Sequence, residues 1–457
     1  MIKKINITKL FLLFIVSHLI IWILIPSLSN KNLPLDTIEA LAWGSNLDWG
    51  FNKHPPMSAF VIEIFYQIFG NQDWVYYALS QIFVVISFIF VWKLSEDFFE
   101  KKIYSLISIL FLVGIVFFNF TSPEFNVNVC EMPFWAITVY YAWQSIKNKK
   151  NIDFIFLGVF AGLGFLSKYL FVYLLLALMF FIIFYSLKLK KLNFKYSLTV
   201  VFFIITIFPH MIWLFQNNFI TIFYGLNRTG LEDSNLLDHV INPIIFASKQ
   251  IILVLPGILM LAVLIKKFKY KFKIKDHKFL FLIIINTVPI ILILLTSIFT
   301  GAKIRTMWMT PFYLFLGVFL VYLFKEQINL KKIKLFMSAF LFLFILSPSI
   351  YLYISITNEN KRTDYPGKEI AYLVQNKWDK NFQNEISIVI GDEWVAGNLS
   401  YHLNSRPKWY NSLDNNLESI KKNAGFVYAG NPDVLKKICP GVYGTIKPVG
   451  FCMIGSK

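Results

Sequence analysis

Residues 169–187 read Tyr-Leu-Phe-Val-Tyr-Leu-Leu-Leu-Ala-Leu-Met-Phe-Phe-Ile-Ile-Phe-Tyr-Ser-Leu, without one charged side chain, and 188–191 follow as Lys-Leu-Lys-Lys. A helix needs about 20 apolar residues to cross the hydrocarbon core of a bilayer, and this run supplies them. The same alternation of apolar run and short basic punctuation recurs along the chain. Apolar segments fall at about 8–27, 73–93, 103–120, 128–145, 152–167, 169–187, 196–215, 244–265, 279–299, 307–324 and 334–355. The pattern predicts a polytopic α-helical membrane protein with about eleven transmembrane helices.

Composition agrees. Of 457 residues, 57% are hydrophobic and only 15% charged, against roughly 25% charged in a soluble domain. The net charge of +18 does not mark a nucleic-acid binder, because the cations sit in short connections between apolar runs and build no groove. Alternating sides from a cytoplasmic N-terminus gathers Lys3, Lys4, Lys101, Lys102, Lys147, Lys149, Lys150, Lys188, Lys190, Lys191, the run 266–278, Lys331, Lys332 and Lys334 on one face, as the positive-inside rule requires. The other face receives 28–72, 121–127, the Ser167–Lys168 junction, 216–243, 301–306 and everything after about 357. The first apolar segment begins after lysines but has no small-x-small cleavage site behind it, so it is expected to stay as an anchor.

The chain divides into a membrane part, 1–355, and an external part, 356–457, where charges, Asn and Gly rise. Glu385-Ile-Ser-Ile-Val-Ile390 followed by Gly391-Asp392 predicts a strand ending in a turn, hence a small α/β domain. Cys439 and Cys452 flank a Pro/Gly-rich stretch there. They form a disulfide in an oxidising compartment or remain two buried thiols.

Candidate chemistry concentrates in the first external loop, Leu35-Asp-Thr-Ile-Glu-Ala-Leu-Ala-Trp43 and then Asp48-Trp-Gly-Phe-Asn-Lys-His-Pro-Pro56. Asp36, Glu39 and Trp43 share one helical face, so two carboxylates and an aromatic ring can face one cleft. A carboxylate in a partly dehydrated cleft is a base for an acceptor hydroxyl, although a solvated interfacial helix gives the same pattern. Lys53 and His54, before the rigid Pro55-Pro56, suit a phosphate at headgroup level, or ordinary snorkelling. Glu131 begins a span, where a carboxylate is expensive unless it works or is paired, and Lys168 is the cationic counterpart. Lys303, Arg305 and Trp308 offer two cations and an interfacial ring for a lipid phosphate, or plain interfacial anchoring. The six His show no metal-ligand spacing, and no P-loop or dinucleotide fingerprint is present, so no cofactor is expected beyond a divalent cation that an acidic pair could hold.

These motifs resemble the first periplasmic loop of bacterial C-type glycosyltransferases (GT-C), relatives of the protein O-mannosyltransferases that include the lipid A aminoarabinose transferase and lipopolysaccharide-core galacturonosyltransferases. The likeness continues at Phe69-Gly70, Glu131-Met-Pro-Phe-Trp135, Gly162-Leu-Gly-Phe-Leu-Ser-Lys168-Tyr169 and Arg305-Thr-Met-Trp308-Met-Thr-Pro311. It departs at Thr37, where many relatives carry a second acid, and at Glu131, where an Asp is usual. The resemblance implies an inverting transfer of sugar from a polyprenyl (undecaprenyl) phosphate donor to lipid A or lipopolysaccharide core, at the periplasmic face of the bacterial inner membrane, with no nucleic-acid partner. It makes Asp36 the catalytic carboxylate and Glu131 a second acid, with Glu39 nearest to Asp36 in the loop. Lys53 and His54 would face the donor phosphate, and Lys168, Lys303 and Arg305 would hold it. Two other functions fit many spans and phosphate-binding cations: a flippase or transporter of a lipid-linked sugar, and a protein O-glycosyltransferase. A transporter should place its charges near the bilayer midplane, whereas these cluster at one face.

Overall fold

The computed structural model describes residues 6–190, 193–230, 235–268, 275–412, 424–446 and 449–456; Lys3, Lys4, Lys191 and 269–274 of the basic run lie outside them. Fourteen helices form the membrane part among these residues: α1 (Ile7–Ser29), α2 (Leu35–Ser45), α3 (Met57–Phe69), α4 (Asp73–Phe98), α5 (Lys102–Leu110), α6 (Val127–Lys147), α7 (Asn151–Ser167), α8 (Val172–Leu189), α9 (Tyr196–Gln216), α10 (Ile220–Arg228), α11 (Asp238–Ala262), α12 (His277–Thr300), α13 (Leu316–Phe324) and α14 (Ile333–Thr357). Seven helical stretches are long and apolar enough to cross a membrane, and an eighth is a pair, Thr306–Tyr313 and Leu316–Phe324, bent by 54°.

The three remaining apolar segments of the sequence differ for local reasons. The stretch 103–120 breaks after α5 into 3-10 turns at Phe111–Gly114 and Val116–Phe118. Helix α6 is long but buries Asn128, Glu131, Thr138 and Gln144 among its neighbours, so its hydropathy is low although it lies inside the bundle. Helix α7 has only 17 residues and packs hard on α9: a Cβ at Gly158 would lie 2.4 Å from the Thr199 carbonyl, and one at Gly162 2.6 Å from the Thr206 Cβ. Small residues that let helix backbones approach are how apolar helices associate where lipid removes the hydrophobic drive.

The external loops are fixed by polar caps. Asn126 Oδ1 accepts the N–H groups of Asn128 and Val129 to start α6, as Asn6 does for α1, each satisfying orphan donors of a first turn. The N-cap of α2 is Pro34, which has no such side chain. Its cap comes from another loop: Glu124 Oε1 accepts the N–H of Asp36 at 3.0 Å.

Beyond α14 lie α15 (Gly367–Asp379), β1 (Ile386–Ile390), α16 (Val395–His402), β2 (Lys408–Tyr410), β3 (Gly425–Gly430), α17 (Pro432–Ile438), β4 (Val442–Ile446) and β5 (Val449–Ile454). The sheet order is β2-β1-β3-β5-β4, with β1 parallel to β2 and β3 and the pairs β3/β5 and β4/β5 antiparallel. Strand β1 is the one the sequence predicts, and Gly391 turns the chain after it at φ 148°, where a Cβ would lie 2.4 Å from the Ala429 carbonyl. Cys439 and Cys452 are disulfide-bonded, tying the end of α17 to β5.

This unit sits on the first external loop. Arg406 pairs with Glu63 at 2.7 Å, donates to the Leu41 carbonyl at 2.7 Å and lies 4.0 Å from the centre of the Tyr66 ring. Tyr401 donates to Asp73 at 2.6 Å, Asn32 donates to Asn398 at 2.9 Å, and the Trp409 N–H reaches Ser45 at 2.8 Å. The helices that carry the candidate residues are thereby held from both sides.

Candidate active site

Helix α2 turns Asp36, Glu39, Ala40 and Trp43 toward one cavity of about 390 Å³, while Ile38, Leu41 and Ala42 are buried in the protein. Asp36, Glu39 and Trp43, at i, i+3 and i+7, are the face the sequence predicts, and Ala40 joins it. Lys53 and His54 close it from the same loop, Lys168 and Tyr169 enter between α7 and α8, Arg228 comes from the end of α10, and Arg305 and Trp308 come from the turn before α13. Six of the eight acidic or basic residues singled out by sequence therefore meet in one place, Asp36, Glu39, Lys53, His54, Lys168 and Arg305, together with the rings of Trp43 and Trp308.

Two others do not. Lys303 is exposed and absent from the cavity wall; its backbone N–H bonds the Thr229 carbonyl. Glu131 is fully buried in α6 behind the wall, and among the described residues neither carboxyl oxygen has a hydrogen-bond partner. It does not line the cavity.

The charged groups form two sets. Lys53 lies 2.9 Å from Glu39 and 3.1 Å from Glu393, which the external domain contributes. Burial works against its charge, but the hydrogen bond and charge of Glu39, with Glu393, hold Lys53 above the usual lysine range. Lys168, only 5% exposed, donates to Asn128 Oδ1 and stands 5.1 Å over the Trp308 ring. Burial pulls it down to about 8, against the opposing charges of Glu131 and Asp36. Burial likewise holds His54 down at about 3, with Lys168 and Lys53 adding repulsion, so its ring is neutral; it meets Trp43 edge to face at 5.9 Å.

Asp36 carries the shift that matters for proton transfer. Burial raises it above the carboxylate range, against the pull of Lys53, Lys168, Arg362 and Arg228. Glu124, beside it, is pushed up to about 8 by burial and by the charge on Asp36, while the Asp36 N–H opposes the rise. Two carboxyl groups so close do not both ionise readily. Glu39 is also raised by burial. The cavity thus sets a carboxylate poised to take a proton beside cations suited to an anionic leaving group.

Glu124, Glu393, Arg228 and Asn128 join the site without having been assigned to it from sequence. Glu124 stands beside Pro123 in the second loop, and its acidity at a span entrance is its only signal. Glu393 lies within the turn after β1, and nothing local ties it to Lys53. Among the described residues no group of three or more His, Cys, Asp or Glu side chains converges as metal ligands, and the Lys53 ammonium stands between Glu39 and Glu393.

The sequence profile of the dolichyl-phosphate-mannose-protein mannosyltransferase family matches residues 53–213. The structure is similar to that of ArnT from Cupriavidus metallidurans bound to undecaprenyl phosphate, with a TM-score of 0.64 and 12% identity over 97% of this chain and 98% of that one. It is also similar to the apo state of the same protein, with a TM-score of 0.62 and 13% identity over 98% of each chain. No curated protein sequence matches this chain. The C-type glycosyltransferase resemblance read from the motifs stands in the family profile and the fold alike: a helical membrane bundle capped by a small sheet domain.

Proposed function

We propose that the chain is a membrane glycosyltransferase that moves a sugar from a polyprenyl phosphate to a hydroxyl or phosphate of an envelope acceptor, with lipid A or the lipopolysaccharide core as the acceptor class. The observation that carries this is the convergence of Asp36 with Lys168, Arg228 and Arg305 on one cavity wall, in a fold shared with a protein solved with undecaprenyl phosphate.

In the inverting step onto a hydroxyl acceptor, the O–H gives its proton to Asp36 as the oxygen attacks the anomeric carbon, and the bond from that carbon to the donor's phosphate oxygen breaks. The leaving polyprenyl phosphate keeps the electron pair, and Lys168, Arg228 and Arg305 stabilise the charge that develops there, which is where fixed cations lower the barrier. Glu124 caps the helix that holds Asp36. Glu131 sustains the charge of Lys168. No step runs through a divalent cation.

The cavity and the external domain face the periplasm in this account. Two features support it: the Cys439–Cys452 bond, which belongs to an oxidising compartment, and the concentration of lysines at the opposite ends of the helices. A transporter reading gains no observation of its own. Reconstituted wild type mixed with a lipid extract containing polyprenyl-phosphate sugars and lipopolysaccharide should release free polyprenyl phosphate, measured by liquid chromatography with mass spectrometry. Equal release by Asp36→Asn contradicts the proposal.

A further inference from the structure

Tyr169, Tyr173, Thr221 and Thr296 all line the cavity, and every one of them has its hydroxyl proton engaged away from it. Thr221 Oγ1 donates to the Phe51 carbonyl at 2.5 Å and Thr296 Oγ1 to the Leu292 carbonyl at 2.9 Å; a carbonyl only accepts. Tyr173 Oη is 2.9 Å from Thr296 Oγ1. Since the one proton of Thr296 is committed, Tyr173 is the donor of that pair. Tyr169 Oη is 2.8 Å from His210 Nε2, and His210 Nδ1 is 2.6 Å from the Trp49 carbonyl. That carbonyl fixes the ring proton on Nδ1, so Nε2 of the neutral ring accepts and Tyr169 donates to it.

A helical Thr bonding back four residues, as Thr296 does, is ordinary. The other three are not of that kind, because their acceptors come from different elements. His210 is fully buried and has no other role in view. It stacks on Trp213, whose ring N–H donates to Asp48 at 2.6 Å. The segment 48–51 is thus pinned by α9 and α10, and the same contacts set the direction of the wall's hydroxyls.

We propose that these four side chains form the sugar subsite: their oxygens, with only lone pairs to offer, take hydroxyl or ammonium donors of the transferred sugar and repel a carboxylate or phosphate placed against them. The inference rests on the glycosyltransferase reading and deepens it. The phosphate belongs with Lys168, Arg228 and Arg305, and the sugar with the tyrosine and threonine oxygens. The transferred sugar is therefore neutral or amino-bearing, not a uronic acid. His210 is a positioning residue that acts through Tyr169.

The test measures binding by the purified full-length protein in detergent of three synthetic lipids: undecaprenyl phosphate, its neutral-hexose ester and its uronic-acid ester. Tyr169→Phe and Thr221→Val should each weaken the hexose ester by roughly 2- to 10-fold, the range of one uncharged hydrogen bond, and leave undecaprenyl phosphate within twofold. His210→Asn should do the same as Tyr169→Phe, and the double variant should be no worse than either. Wild type should prefer the hexose ester to the uronic-acid ester. Equal weakening of undecaprenyl phosphate, additive effects of His210→Asn and Tyr169→Phe, or preference for the uronic-acid ester overturns the subsite while leaving the transferase reading intact. Failure of wild type to bind any of the three lipids overturns the transferase reading and the subsite with it. Circular dichroism of each variant separates a lost fold from a lost contact, and Thr221→Val, the smaller change, carries the test if Tyr169→Phe does not fold.

Discussion

Replacing Arg406 with Met should release the external domain from the first loop. The Arg406 side chain is 12% exposed and that of Glu63 8%, with 2.7 Å between them. Removing the guanidinium leaves a buried carboxylate that still accepts from the side-chain amide of Gln67 at 2.6 Å. Breaking a buried pair from one side costs about 3–5 kcal/mol. The Leu41 carbonyl also loses its donor and the Tyr66 ring its cation, each a contribution of about 1 kcal/mol that the first figure partly contains. At 1.4 kcal/mol per factor of ten, 3–5 kcal/mol raises the undocked population by roughly two to three and a half orders of magnitude. Hydrogen exchange of α16 and of the Asn32 amide, measured by mass spectrometry on the detergent-solubilised protein, reads that population. Arg406→Met with Glu63→Gln should recover much of the protection, because no charge is then stranded. Unchanged exchange in Arg406→Met, or a double variant as open as the single one, would refute the reasoning.

Three further outcomes follow from the cavity. Activity should fall as pH drops through a value above the ordinary carboxylate range near 4, because Asp36 must be ionised to accept a proton and burial raises it; an acid limb at the ordinary value would show that Asp36 is not the base. Activity should also decline as pH rises through about 8, where Lys168 loses its charge, and Lys168→Arg should remove that alkaline limb in a pH–rate profile. Lys168→Met should weaken undecaprenyl phosphate binding about tenfold or more, the scale of a charge-assisted contact, while Lys303→Ala, outside the cavity, should stay within about twofold in the same titration.

Much of this architecture is legible in the sequence because the bilayer imposes a simple code. The uncharged run 169–187 can do little else than form a helix, and the alternation of Glu385–Ile390 marks a strand. The spans that resisted reading are those shielded by protein: α6 affords Asn128 and Glu131 because its neighbours, not lipid, surround them, and α5 stops where the chain turns at Phe111. The site was half legible. Asp36, Glu39, Lys53 and His54 lie in one short segment, where helical spacing pairs the two acids and the loop that follows returns Lys53 and His54 to them. Glu124 and Glu393 could not be found that way, since each meets a cavity residue, the Asp36 N–H and the Lys53 ammonium respectively, from a segment far along the chain. Lys303 and Arg305 look alike in sequence, and only the fold separates them, placing Arg305 on the cavity wall and Lys303 off it.

The central claim is that Asp36 takes the acceptor proton in a sugar transfer. Mass spectrometry of envelope lipids from a strain lacking this protein, complemented with wild type or with Asp36→Asn at equal membrane levels, tests it most directly. The account predicts that wild type restores a sugar-sized increment on lipid A or core and that the variant does not, since loss of a general base costs about 10²- to 10⁴-fold. Equal restoration by both would contradict it and turn the chain toward transport of a lipid-linked precursor.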